Sequence, residues 1–187
     1  MDLNFYYQDI VRACFPNAQI IIDRFHMVQM LTRSLNSLRV AVMKKFKKGT
    51  REYSLLKSPW KLYLKKFDDL EKIHPRYNWH YKDSLTQEQI VMEGIECDDT
   101  LTNSYNLLQA FFTALDKHDT KDIIYSKEKV GPLMHRTLLT FRHNLKAVLN
   151  GASLPYSNGC LEGFNRNLSI RKKVDKNIVM FLSTFIL

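Results

Sequence analysis

The sequence predicts an α+β fold that is mostly α. One short run, Gln19-Ile20-Ile21-Ile22, ends in three consecutive β-branched residues, the mark of a strand buried on both faces. Nearly everywhere else apolar residues recur at three- and four-residue spacing, as on the buried face of a helix. With 187 residues, 45% of them apolar, the chain is long enough to enclose a core.

In chain order, a helix is expected from Phe5 to Cys14, with Tyr6, Ile10, Val11 and Cys14 on one face. Phe15-Pro16-Asn17-Ala18 breaks it ahead of the strand at 19–22. Asp23 closes the strand and is placed to cap a long amphipathic helix from Arg24 to about Lys48, whose stripe is Phe25, Val28, Leu31, Leu35, Leu38 and Val42. Residues 49–150 read as almost wholly helical. The segments are Leu55 to Leu70, a shorter helix opened by the Thr86-Gln87-Glu88-Gln89 cap pattern, Asp98 to Asp116, and Lys129 to Leu149. Trp60, Trp79, Phe111 and Phe112 read most simply as packing residues; stacking on nucleic-acid bases is the alternative use of such rings. No internal repeat or low-complexity segment is present.

The balance of 28 Lys and Arg against 19 Asp and Glu gives a formal charge of +9, concentrated at Arg39 to Arg51 and Arg166 to Lys176. A polyanionic partner follows from that excess. Cys14, Cys97 and Cys160 are odd in number, widely spaced and in no metal-ligand pattern, which suits reduced thiols. No signal peptide is evident and no apolar run approaches the length of a membrane span. The expectation is a soluble, cytoplasmic protein without a membrane partner.

The most distinctive stretch is Tyr156-Ser157-Asn158-Gly159-Cys160-Leu161-Glu162-Gly163-Phe164-Asn165. Pro155 and the Ser-Asn-Gly cluster read as a turn, and Ser157 or Asn158 can cap a helix with Glu162 in its first turns. Alone, such a Glu complements the helix dipole. Beside a second carboxylate at the end of a strand, Asp23, it can also take part in a shared site.

Four segments in order carry a specific resemblance: Asp2-Leu3-Asn4-Phe5-Tyr6-Tyr7, Phe15-Pro16-Asn17-Ala18, Asp23-Arg24-Phe25-His26-Met27-Val28, and Ser157-Asn158-Gly159-Cys160-Leu161-Glu162-Gly163-Phe164-Asn165. The chain resembles the DDE-class transposases of bacterial insertion sequences over residues 2–165. The resemblance implies a partial RNase H-like core, with one or two strands in this chain, carrying a large helical insertion. It also implies three carboxylates holding two divalent ions, Mg2+ or Mn2+, for DNA strand cleavage and transfer. By that likeness Asp2 is the second acid and Glu162 the third, both metal ligands. Asp23 and His26 are supports or nucleic-acid contacts; a rival assignment makes Asp2 and Asp23 the first two acids. Arg24, Arg166, Arg171, Lys172 and Lys173 are the further nucleic-acid contacts implied.

Domain expectations follow: 1–29 is core, 30–150 the helical insertion, and 151–187 the helix with the final acid and a tail that diverges from the family pattern. The first acid of the triad would precede Met1, so the chain reads as a transposase fragment expected to be inactive alone. A non-catalytic DNA-binding or regulatory fragment is the alternative function. Expected partners are DNA, as transposon ends and target, and a second copy or full-length transposase.

Overall fold

The computed structural model describes the backbone of residues 5–154, with side chains from Ile10 onward. Helix α1 runs Phe5–Cys14, as the periodicity predicts, and α2 runs Arg24–Met43. Between them residues 19–23 do not form the expected strand. A strand needs a neighbouring ladder, and this segment turns its polar groups to a helix instead. The Ile22 N–H bonds to the Ala147 carbonyl at 3.1 Å, and the Ile20 carbonyl accepts from Asn150 Nδ2 at 3.0 Å. The β-branched run still foretold burial correctly at its end, since Ile22 is fully enclosed.

Helix α2 is the element on which the others pack. Its stripe of Met27, Leu31, Leu35 and Val42 is fully or almost fully buried. It ends at Met43, earlier than the expected Lys48, because Thr50 caps the next helix instead, accepting from the Tyr53 N–H. That helix, α3, is Arg51–Lys57. Pro59 then breaks the helix expected through Leu70 and leaves two single 3₁₀ turns, Leu62–Leu64 and Phe67–Asp69.

A two-stranded antiparallel hairpin follows, absent from the sequence-based reading: β1, Arg76–Asn78, and β2, Asp83–Leu85. Arg76 lies opposite Leu85, Tyr77 opposite Ser84 and Asn78 opposite Asp83. Helix α4, Gln87–Ile95, starts with the expected capping box between Thr86 and Gln89. Helix α5, Asp99–Asp116, is capped by Asp98 and buries Leu101, Tyr105, Leu108, Phe111 and Phe112, which settles the last two rings as core. A short α6, Lys121–Ile124, precedes α7, Pro132–His143, and α8, Leu145–Ser153. The single helix expected over 129–149 is thus interrupted at Asn144, whose φ of −113° and ψ of 29° depart from helical values.

Two clusters divide the interior. The main core joins α2, α5, α7 and α8 around Leu31, Leu35, Leu108, Phe111 and Phe141, with the rings of Phe111 and Phe141 stacked at 5.9 Å. A smaller cluster, Leu55, Tyr81, Leu85 and Ile90, pins the hairpin to α3 and α4. The result is a mostly helical fold with a small antiparallel sheet, compatible with the α+β class.

Candidate functional site

Asp23 stands at the start of α2 with extended backbone (φ −66°, ψ 135°) and one carboxylate oxygen accepting from the Phe25 N–H at 2.8 Å. It is buried, with 7% of its surface exposed. The carboxylate satisfies an N–H that the first helical turn leaves without a backbone partner, and it complements the positive end of the helix dipole. That is the capping role the sequence predicted for it.

Arg24, the next residue, turns its guanidinium onto the far end of α8. Nε donates to the Gly151 carbonyl at 3.0 Å, and Nη2 donates to Ala152 at 2.8 Å and to Leu154 at 3.4 Å. Terminal carbonyls of a helix lack intrahelical donors and sit at its negative end, so a guanidinium is well suited to them. His118, with left-handed backbone (φ 60°), brings Nδ1 to 3.0 Å from Arg24 Nη2 and to 2.9 Å from the Ala152 carbonyl. The two helix ends also meet backbone to backbone. A Cβ at Gly151 would collide with the Ile22 carbonyl, so only glycine lets α8 lie this close to the 19–23 segment.

The consequence is a locked corner. The Asp23-Arg24 pair fixes the start of α2 against the end of α8, and Leu154, held by Arg24, precedes Glu162 by eight residues. His26 lies one turn inside α2, half-buried, its ring edge-on to Phe25 at 5.7 Å; Phe25 itself is exposed. Alongside runs a groove of about 490 Å³ whose lining includes Arg12, Pro16, Asn17, Gln19, His143 and Lys146 and contains no carboxylate. The Phe-Pro-Asn-Ala segment forms part of its wall.

The remaining expected site residues, Asp2, Glu162, Arg166, Arg171, Lys172 and Lys173, lie outside the described residues. Among the described residues no three His, Cys, Asp or Glu side chains gather as a metal site would require. Of the basic stretch Arg39 to Arg51, only part faces solvent. Arg39 is buried, its guanidinium bonded to the Leu56 carbonyl and to Asn36 Oδ1 at 2.7 and 3.0 Å, and burial pulls its pKa down. Lys45 pairs with Asp98 at 2.7 Å, and Arg51 bridges Asp83 at 3.0 Å and Glu93 at 2.8 Å. Lys44, Lys45, Lys47 and Lys48 are the exposed cations of the group. Sequence reasoning counted all of these charges alike, because periodicity carries no sign of which cation a carboxylate two elements away will meet.

A family model for DDE-type transposases, described as Transposase, matches residues 1–174. The chain belongs to that transposase family, and its role is in DNA transposition. No curated protein and no solved structure shows significant similarity to it. No described helix is long and apolar enough to cross a membrane.

Proposed function

We propose that this chain contributes the second and third acids, Asp2 and Glu162, of a two-metal transposase centre. Carboxylate oxygens are the donors that Mg2+ or Mn2+ prefers, and a pair of such ions, when bound, supplies the charge that activates an attacking oxygen and stabilises the leaving one. The family match across residues 1–174 carries the reading, since it spans both acids. The corner is consistent with it in one respect: Arg24 ties Leu154, eight residues before Glu162 in the sequence, to the start of α2. Asp23, buried and capping α2, serves as a support rather than as the second acid. The basic residues after Glu162, namely Arg166, Arg171, Lys172 and Lys173, serve phosphates of the bound DNA, with His26 close to the corner as a further contact. In this reading Asp2 and Glu162 are two of the three carboxylates that hold the ions, and the basic residues hold the DNA.

Mn2+ titration tests the assignment directly. Asp2→Asn and Glu162→Gln are each expected to weaken Mn2+ binding at least ten-fold, while Asp23→Asn leaves it within about two-fold. A Glu162→Gln protein that binds Mn2+ as the parent does would overturn the proposal. Metal-dependent nicking of a duplex by the parent, lost in Asp23→Asn, would instead make Asp2, Asp23 and Glu162 a complete triad.

A further inference from the structure

The hairpin β1–β2 presents the most exposed large aromatic side chains of the described helical region. Trp79 is 72% and Tyr77 68% exposed, whereas Tyr63, Tyr81, Tyr105, Phe111, Phe112 and Phe141 are buried. Exposure on this scale needs a reason, because burying an indole is among the larger favourable contributions a fold can obtain. Within the strand pair Leu85 is buried while Tyr77 and Ser84, which face each other in register, are exposed; in the turn between the strands Tyr81 is buried with the smaller cluster and Trp79 remains outside.

The tip is held rigidly. The Asn78 carbonyl accepts from the Tyr81 N–H at 3.2 Å, and Asn78 Oδ1 accepts from the His80 N–H at 2.9 Å, so an Asx turn supports the loop. Lys82 adopts the left-handed conformation (φ 53°) that closes it. Arg51 reaches across from α3 to the Tyr81 carbonyl at 3.2 Å and to Asp83 at 3.0 Å, clamping the hairpin to the body. The Trp79 ring lies against His80 at 3.6 Å between centroids, and with most of Trp79 still exposed a broad aromatic face stays open.

The electrostatic setting selects the partner. From Lys72 to Lys82 the sequence Lys-Ile-His-Pro-Arg-Tyr-Asn-Trp-His-Tyr-Lys has no carboxylate. The two that flank it are engaged: Asp83 with Arg51, and Glu71 with the N–H groups of Ile73 and His74. Arg76 and Lys82 stand exposed beside the rings. A rigid aromatic surface ringed by cations fits one ligand chemistry well, a nucleobase stacked on the ring with its phosphate near a cation. A protein partner with an apolar face would be matched by the rings but not by the exposed cations Arg76 and Lys82.

We infer that the β1–β2 hairpin is a stacking platform for unpaired DNA bases, with Trp79 and Tyr77 as the stacking rings and Arg76 and Lys82 as phosphate contacts. The inference rests on the reading of the chain as a DNA-processing protein. It extends that reading by placing base contacts in the stretch of chain between the two acids.

Trp60→Phe leaves Trp79 as the sole tryptophan and makes its emission a direct reporter. Titration with oligothymidylate is expected to quench that emission, and Trp79→Ala to weaken binding of the oligonucleotide about ten-fold, with Trp79→Phe recovering most of the loss. A fully paired duplex should leave the emission unchanged and bind Trp79→Ala as it binds the parent. Oligothymidylate affinity indifferent to Trp79→Ala would overturn the inference. So would equal quenching by duplex, or quenching that grows with protein concentration in the absence of DNA and so reports a second copy on the hairpin. Failure of the underlying reading looks different: the parent would then bind neither duplex nor oligothymidylate.

Discussion

Two corners of the molecule use the same residue types in opposite ways. At the α2–α8 corner an acid and a guanidinium, Asp23 and Arg24, lie in one of the four segments that carry the resemblance and are turned inward, onto backbone groups at two helix ends. At the hairpin corner an arginine and an acid, Arg51 and Asp83, belong to no motif, and they hold outward a loop whose rings and cations face solvent. The first corner ties two helix ends together; the second presents a surface. A residue of such a segment can thus be engaged with the protein's own backbone. An anonymous stretch can carry the more accessible chemistry.

The sharpest way to break this contrast is at Gly151. A methyl group there meets the Ile22 carbonyl, and because both sides of the contact are backbone, neither can rotate away. Gly151→Ala is expected to lower stability by about 3 kcal/mol, the upper part of the range for overpacking a filled interior. Trp79→Ala at the other corner removes an exposed ring and should stay within about 0.5 kcal/mol. Urea denaturation of both variants measures the two. Equal losses would mean that the corners are not distinct in the way their burial indicates.

Arg24 comes next in size. Its removal leaves the carbonyls of Gly151, Ala152 and Leu154 without their charged donor, and hydrogen bonds to a charged group contribute about 1.5–3 kcal/mol each when buried. The site is only partly buried, so Arg24→Met is expected to lose about 2 kcal/mol in total. Arg24→Lys restores the charge but not the fork that reaches several carbonyls at once, and should recover less than half. Methionine at 24 with undiminished stability would show that the lock lies in the Gly151–Ile22 contact alone.

Much of this was legible in the sequence, and the failures have physical causes. Two caps were readable because they are local: Asp23 before α2 and Thr86 with Gln89 before α4 each act within three residues. The long stripes of α2 and α5 were readable because their period repeats over many turns. The strand at 19–22 misled because β-branched burial does not itself supply a partner strand, and α8 provided hydrogen-bond partners instead. The hairpin was missed although Tyr77, Trp79 and Tyr81 recur at every second residue, the period of a strand; three-residue strands are too short to outweigh a helical context on either side. Arg24's carbonyl partners lie about 130 positions along the chain, and no local pattern can reveal such a contact.

The smallest effect, and the most local, belongs to the hairpin clamp. The hydrogen bond from Arg51 is the main influence holding the Asp83 carboxyl below its ordinary 3.8, with the Ser84 N–H assisting and desolvation opposing. Because the folded value lies below the unfolded one, the clamp's contribution is complete above the ordinary value and fades as pH falls through the lowered one. Arg51 remains charged throughout, so protonation of Asp83 alone releases that arm of the bridge. The pair is solvent-exposed, and its effect is expected on the hairpin rather than on global stability. Amide signals of Tyr77 to Leu85 followed by NMR toward acid pH should move in the parent toward their positions in Arg51→Gln, while those of α5 away from its Asp98 cap stay still. In Arg51→Gln only the Asp83 and Ser84 signals, which sense the Asp83 carboxyl directly, should show such a transition. An identical acid response in both proteins would mean that the hairpin is held by the Tyr81 and Leu85 anchors alone, and that the rigidity of the Trp79 tip owes nothing to the charge pair.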